Sequence, residues 1–481
     1  MHVLTLVVTM ACAGCAAFAQ AATGGNRPAA EAGCTDDGRP MVVGYFDHTA
    51  AWYRQRPGFR ADQTLPHVWK AGNPDALVVL YNDISASVTQ PGAADAPPTD
   101  VGKRIEARSA DIAEYLEAAN RNGRVKVLLQ VPQVLVAQWT TDPKNRDLVR
   151  EFIVRWSRYP ALAGFYVFDE PDIKRLPVRT LQEVASLVKQ HAPDGRNTVA
   201  LSVAHASPTE VKPQIREYAS ASPRAFDVLL VNRYPVFRQY ARVAGARSAI
   251  GKKLGLTDDK ANRENLADNE FDNLQDYYDS LVTAATMPGL GTRPVYMSMQ
   301  AYGLRDDCDG PACKAVNESK PRRSPTWNEL LYLLTSIWMS GADGSVLYSH
   351  YYALYDKALR TRLNSLEALM SRVYAYLPGC APVAIDRKVK EGVMARYAGR
   401  PGAGKPEYLV IMHGIEGRTS VRIPLDGRNR PSDVEELHFD MQGRARKPAA
   451  GTGAAPAQAT GGELRLSLQG YGVKIFRLRY D

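Results

Sequence analysis

The chain has 481 residues, 45% of them hydrophobic and 23% charged, with a formal charge of +9. That balance excludes a disordered or collagen-like polymer, and the length implies more than one folded unit. Lys and Arg are scattered, with no aromatic-basic RNA signature and no helix-turn-helix, so nucleic acid is not an expected partner; the charge serves solubility and gives a mild attraction to acidic polymers.

Residues 1–21 read as a secretory signal: "LTLVVTMACAGCAAFAQA" is apolar, then small, and uncharged. Ala17-Phe18-Ala19 and Ala19-Gln20-Ala21 both fit the small-x-small cleavage rule, although His2 is the only polar residue of a normally basic leader. "CAGC", ending at Cys15, partly resembles a lipoprotein box, with Cys12 where Leu is usual, so anchoring through Cys15 is the alternative to a periplasmic or secreted protein. No later apolar run is long enough to span a membrane.

From residue 35 onward short apolar runs alternate with amphipathic helices. The runs are "MVVGYF" (41–46), "ALVVLYN" (76–82), "VKVLLQV" (125–131), "GFYVF" (164–168), "TVALSV" (198–203), "FDVLLVN" (226–232), "PVYMSMQ" (294–300) and "GSVLYS" (344–349). Each is too short for a helix and apolar throughout, as strands buried on both faces are. Between them "RSADIAEYLEAANRNG" sets Ile112, Tyr115, Leu116 and Ala119 on one stripe and stops at Gly123. "RDLVREFIVRWSRYP", "RTLQEVASLVKQHAPDG" and "TWNELLYLLTSIWMSGADG" follow the same scheme. Eight strands alternating with helices predict an α/β fold, a (β/α)8 TIM barrel over residues 35–380. A doubly wound open sheet is the alternative, but no Gly-rich fingerprint follows the first strand.

Beyond "SLEALMSRVYAYLPGC" the period changes. "EYLVIMHG", "RTSVRIPL", "VEELHFD", "ELRLSLQG" and "YGVKIFRLRY" are short strands separated by turns, which predicts a C-terminal antiparallel β-sandwich over 381–481. "KPAAGTGAAPAQATGG" is a low-complexity loop within it. "GRPGAGK" at 399–405 imitates a phosphate loop, but Pro406 replaces the magnesium-binding Ser or Thr and a strand follows instead of a helix, so it reads as a hairpin turn.

Cys34, Cys308, Cys313 and Cys380 remain after the signal, an even number that predicts disulfides in an exported protein. Cys308 and Cys313 share one polar loop, "DDCDGPAC", and are expected to pair, leaving Cys34 with Cys380 where the two ends of the barrel meet. Zinc is the rival reading; the loose Cys-x4-Cys spacing with no nearby His argues against it.

The fourth strand stops on Asp169-Glu170-Pro171. In a barrel of this kind the C-terminal strand ends form the working face. Acids after a strand often cap a helix or pair with a base; on this face Glu170 reads as a general acid, since apolar and aromatic walls disfavour its charged form. The architecture and this turn resemble the large clan of (β/α)8 glycoside hydrolases, in which an Asn-Glu pair after strand 4 supplies the acid/base and a Glu after strand 7 is the nucleophile. The resemblance implies Glu170 as acid/base and Asp169, in place of Asn, as an orienting residue, with no cofactor or metal. It fails at strand 7, where Gln300 has no ionisable oxygen and can only orient or hydrogen-bond. Asp47, Asp83, Asp306 or Asp307 would then be the second carboxylate, or the protein binds glycans without cleaving them. A barrel enzyme acting on a non-sugar substrate is a third reading. Around the rim Tyr45, Tyr81, Tyr234, Tyr302, Tyr348 and Tyr351, with Trp52 and Trp327, are candidates for stacking on sugar rings. Asn82, Gln130, His205, Asn232, Arg233 and His350 are candidates for sugar hydroxyls or a carboxylate. The expected partner is thus a carbohydrate, acidic ones included.

Overall fold

The computed structural model of the protein describes residues 42–54, 60–68, 76–82, 84, 101–171, 176–204, 209–236, 274–301, 324–348, 350, 359–363, 366, 381–390, 392–399, 407–415, 417–425, 431–439, 445–446, 458–460 and 462–480. The expectations for residues 1–21, Cys15, Cys34, Cys308, Cys313 and Cys380, and for Asp83, His205, Tyr302, Asp306, Asp307 and Tyr351, lie outside them.

Eight parallel strands close on themselves in sequence order: β1 (Val42–His48), β2 (Ala76–Tyr81), β3 (Val125–Gln130), β4 (Leu162–Phe168), β5 (Thr198–Ala204), β6 (Val228–Asn232), β7 (Val295–Gln300) and β8 (Gly344–Tyr348). All eight were expected, in this order. Phe46, Leu77, Val79, Leu128, Tyr166, Ala200, Leu230, Tyr296 and Val346 fill the interior, so the barrel is a packed core rather than a pore. At Gly164 of β4 a Cβ would lie 2.0 Å from the Thr198 carbonyl oxygen, so only glycine lets β4 and β5 approach this closely.

Outside the strands lie α1 (Ala50–Arg54), α2 (Leu65–Val68), α3 (Val101–Asn122), α4 (Gln133–Ala137), α5 (Lys144–Trp156), α6 (Val178–His191), α7 (Pro213–Ser220), α8 (Leu274–Ala285) and α9 (Trp327–Met339). The stripe read from α3 is buried as expected, Ile112, Tyr115, Leu116 and Ala119 all lying in the core, and Gly123 ends the helix with φ +77°. Thr326 caps α9 and exchanges side-chain and backbone bonds with Glu329 in a capping box. Among the described residues no helix is long and apolar enough to cross a membrane.

The C-terminal strands form antiparallel sheets. One has the order β14-β13-β17-β11-β10-β9, built from β9 (Ala381–Lys390), β10 (Val393–Gly399), β11 (Tyr408–His413), β13 (Asp433–Phe439), β14 (Ala445–Arg446) and β17 (Val473–Arg479). The other has the order β12-β16-β15, from β12 (Thr419–Pro424), β15 (Gln458–Thr460) and β16 (Glu463–Leu468). Leu409, Ile411, Phe476 and Leu478 of the first sheet meet Val421, Ile423, Leu464 and Leu466 of the second, giving the expected sandwich core. The opposite face of the first sheet is apolar too: Tyr408, Val410, Met412 and Ile475 join the core that contains Tyr278 of α8 and Tyr332, Leu333 and Ile337 of α9. At the seam Gly414 sits where a Cβ would lie 2.6 Å from both the Gln275 amide nitrogen and the Tyr332 hydroxyl. Two-sided burial explains why "YLVIMH" of β11 is continuously apolar, whereas "TSVRIP" and "ELRLSL" of β12 and β16 alternate.

Candidate active site

The site grows from an irregularity in β4. Tyr166 and Phe168 pair with consecutive residues of β5, Ala200 and Leu201, so two steps of β4 face one of β5. A bulge of this kind inverts the in-out alternation beyond it. Tyr166 therefore points into the barrel, Phe168 packs outward, and Asp169 turns back into the mouth. Glu170 keeps the ladder by donating its N–H to the Ser202 carbonyl at 3.1 Å. It does so at φ +50°, a left-handed conformation uncommon for a residue with a Cβ. Strain held at one acid on a working face is where function is sought first.

Asp169 is half-buried and held by three side-chain donors. Tyr166 Oη donates to Oδ1 at 2.6 Å, Asn232 Nδ2 to the same oxygen at 3.2 Å, and Tyr81 Oη to Oδ2 at 3.3 Å. Burial pushes its carboxyl above the usual carboxylate range, against the pull of the hydroxyl and amide donors. Burial, and next the charge of Asp169, pushes the Tyr81 and Tyr166 hydroxyls well up, so both stay protonated and stay donors. Glu170 is exposed, and its Oε1 accepts from the same Asn232 Nδ2 at 3.1 Å. Asn232 is itself buried, and its Oδ1 accepts from the Ser298 hydroxyl of β7. Four strands thus meet on two acids.

Beside them runs an aromatic pile. Trp52 and His48 stack at 3.9 Å with planes 6° apart, His48 and Tyr81 at 5.1 Å, and Tyr81 and Phe46 at 5.6 Å. Tyr348 meets Phe46 edge-on at 5.4 Å, and Tyr234 tilts against Tyr348 at 5.1 Å. Both faces of Tyr81 are occupied, so it offers a ligand its hydroxyl edge, not the flat face expected of it.

Several expected contacts point elsewhere. Asp47 is fully buried on the outer side of β1, accepting from the Tyr53 hydroxyl, from Tyr115 Oη at 2.6 Å and from Leu65 N at 3.1 Å; it joins β1 to three helices and is not a rim carboxylate. Asn82 is buried, its amide donating to the Gln130 carbonyl at 2.7 Å and accepting from Ile84 N at 2.9 Å, so it shapes the turn after β2 instead of meeting substrate. Gln300 is fully buried, and its amide spans the backbone of Val236, accepting from N at 2.8 Å and donating to O at 3.1 Å. It pins the segment after β6 and presents no group to the mouth. Gln130 is buried at the end of β3. Tyr45 packs into the outer core and Trp327 starts α9 against it, so neither is a rim aromatic. His350 lies 3.1 Å, through Nε2, from the Gln63 carbonyl.

The fold is shared with known enzymes. The α-amylase of H. orenii superposes with a TM-score of 0.50 at 10% identity, over 92% of this chain and 100% of that one. AmyP in complex with maltose follows at 0.49 and 10%, over 91% and 96%, and the family 30 subfamily 8 xylanase Xyn30A of Clostridium acetobutylicum at 0.40 and 12%, over 91% and 95%; these two likenesses carry no further argument. No family model matches the chain, and no curated protein does. The chain therefore has a glycoside-hydrolase-like fold.

Three members of the site escaped the sequence. Tyr166 and the inward turn of Asp169 depend on the bulge, which leaves no mark in "GFYVFDEP". Ser298 is one of several small residues in an apolar strand. His48 was legible: it is two residues past Phe46, on the same side of β1.

Proposed function

We propose that the protein is an exported glycoside hydrolase in which Glu170 is the general acid/base. Supporting this is the Asp169-Glu170 turn itself: two acids at the C-terminal end of β4, one strained into the open mouth and one fixed beneath it, beside a line of aromatic rings. In the first step Glu170 gives its proton to the leaving glycosidic oxygen as the bond to the sugar carbon breaks; later it takes a proton from the incoming water. Asp169, held by three donors, supplies a stationary negative charge alongside. Two carboxylates at the floor favour a neutral ring there, so acidic groups of a substrate would lie farther out.

A second reading, glycan binding without cleavage, is favoured by Gln300, whose amide is committed to Val236 where a nucleophile would stand. The two separate in one experiment. Purified protein is assayed for new reducing ends on neutral and acidic polysaccharides, beside Glu170→Gln. Loss of about 10²–10⁴-fold in turnover, with an unchanged melting temperature, is expected. Near-parent turnover in the variant would sink the role of Glu170; binding by calorimetry with no cleavage by either protein would establish the second reading.

A further inference from the structure

Asn232 was expected to meet the substrate, yet its amide is spent. Ser298 donates to Oδ1, which fixes the orientation of the group: Nδ2 must face the acids. That nitrogen has two hydrogens and two acceptors, Asp169 Oδ1 at 3.2 Å and Glu170 Oε1 at 3.1 Å. The two oxygens it joins are therefore no farther apart than the two bonds together. Two carboxylates so close repel when both are ionised, and a shared N–H donor between them offsets that repulsion.

We propose that Asn232, locked by Ser298, is a positioning residue that spaces the two carboxylates of the Asp169-Glu170 turn and lets both be ionised side by side. Chemically it acts as a clamp: β6 and β7 reach across the mouth and hold two acids of β4. The titratable groups facing the pair are Tyr166 from β4, Tyr81 from β2, Tyr348 from β8 and Tyr234 after β6, with His48 of β1 stacked on the far side of Tyr81 and Arg233 next to Asn232 in the chain. Of these Tyr81 and Tyr166 remain neutral donors through the working range, since burial holds their protons on. The clamp is the one amide joining both acids among the hydrogen bonds described above.

The inference rests on the reading of Glu170 as the acid of the site for its catalytic consequence, and its test is chosen to stand without it. The carboxyl carbons of Asp169 and Glu170, labelled with carbon-13 and assigned through Asp169→Asn and Glu170→Gln, are titrated by NMR in the unligated protein. The pair titrates in two coupled steps. In Asn232→Ala both steps should move up, the higher one by about one pH unit, because a donor to the charged forms is gone and the charges face each other directly. Ser298→Ala, which leaves the amide free to turn, should move them in the same direction by less. On any substrate cleaved, the acid limb of the turnover profile should rise with the higher step while KM changes little. A folded Asn232→Ala protein with both curves in place overturns the proposal; if that variant does not fold, unmoved curves in Ser298→Ala overturn it. Moved curves in a protein that cleaves no saccharide would leave the clamp standing and bring down the hydrolase reading alone.

Discussion

Asp47 and Asp169 occupy matching places, the ends of β1 and β4, and each receives two tyrosine hydroxyls. Tyr53, Tyr115 and Leu65 N surround the first; Tyr81, Tyr166 and Asn232 surround the second. The donor shells are alike in number and kind, and the two residues do different work. Asp47 follows an unbroken alternation, so it faces the helices and is sealed from solvent. Asp169 follows a bulge, faces the mouth, and has a second acid next to it. A well-held carboxylate is thus no sign of chemistry by itself. The side of the sheet it occupies, and the company of another acid, separate a structural anion from a working one.

The comparison breaks most readily at Asp47. Asp47→Ala leaves three buried donors without an acceptor, each costing about 1–3 kcal/mol. A loss of about 4 kcal/mol or more in urea unfolding is expected, with turnover per folded molecule unchanged. A loss below about 1 kcal/mol would erase the structural role assigned to it.

Gln300→Glu is the next largest. The carboxylate keeps the bond from Val236 N but loses the one to Val236 O, and it places a buried charge against that carbonyl. Destabilisation of about 2–3 kcal/mol, with no new activity, is expected. Turnover rising above the parent's would show instead that a carboxylate at this strand end reaches the substrate.

The smallest effect sharpens the comparison through pH. Burial raises the Asp169 carboxyl above its unfolded value, so between the two values the folded state binds more protons. Stability from this group is therefore lost as pH rises through that window. Asp169→Asn removes the dependence, so the variant should gain on the parent as pH climbs from about 4, the ordinary carboxylate value, and level off above the folded value. Unfolding free energies measured between pH 4 and 7 test this; a constant difference between the two proteins would contradict it.

The sequence made the barrel plain, because eight doubly buried strands each spell a short apolar word. It hid β9 and β10. Pro382 weakens β9, an outer strand of its sheet and a place where proline is tolerated, and Arg396 and Tyr397 interrupt the pattern of β10. In the site, the position of the acid pair was legible and the direction of its neighbours was not. Counting alternate residues from Phe46 would have placed Asp47 outside and His48 inside. The same count from Tyr166 misplaces Asp169, since the bulge is a matter of backbone register. Asn82, Asn232 and Gln300 show the limit from another side: three amides at three strand ends look equivalent as letters, yet each is consumed by a different part of the protein.

The seam between α9 and the C-terminal sheet has a consequence for biosynthesis. Leu330, Tyr332, Leu333, Leu334, Ile337 and Met339 give α9 apolar residues on more than one side, and the strands that help cover it, β11 and β17, are among the last to be made. At about 5–20 residues per second, the interval between the end of α9 and the arrival of β17 lasts roughly ten seconds. Through that interval the nascent chain can close its barrel ladder but has no cover for the outer side of this helix. Whatever accompanies the chain during synthesis must shield that side until the final strands emerge.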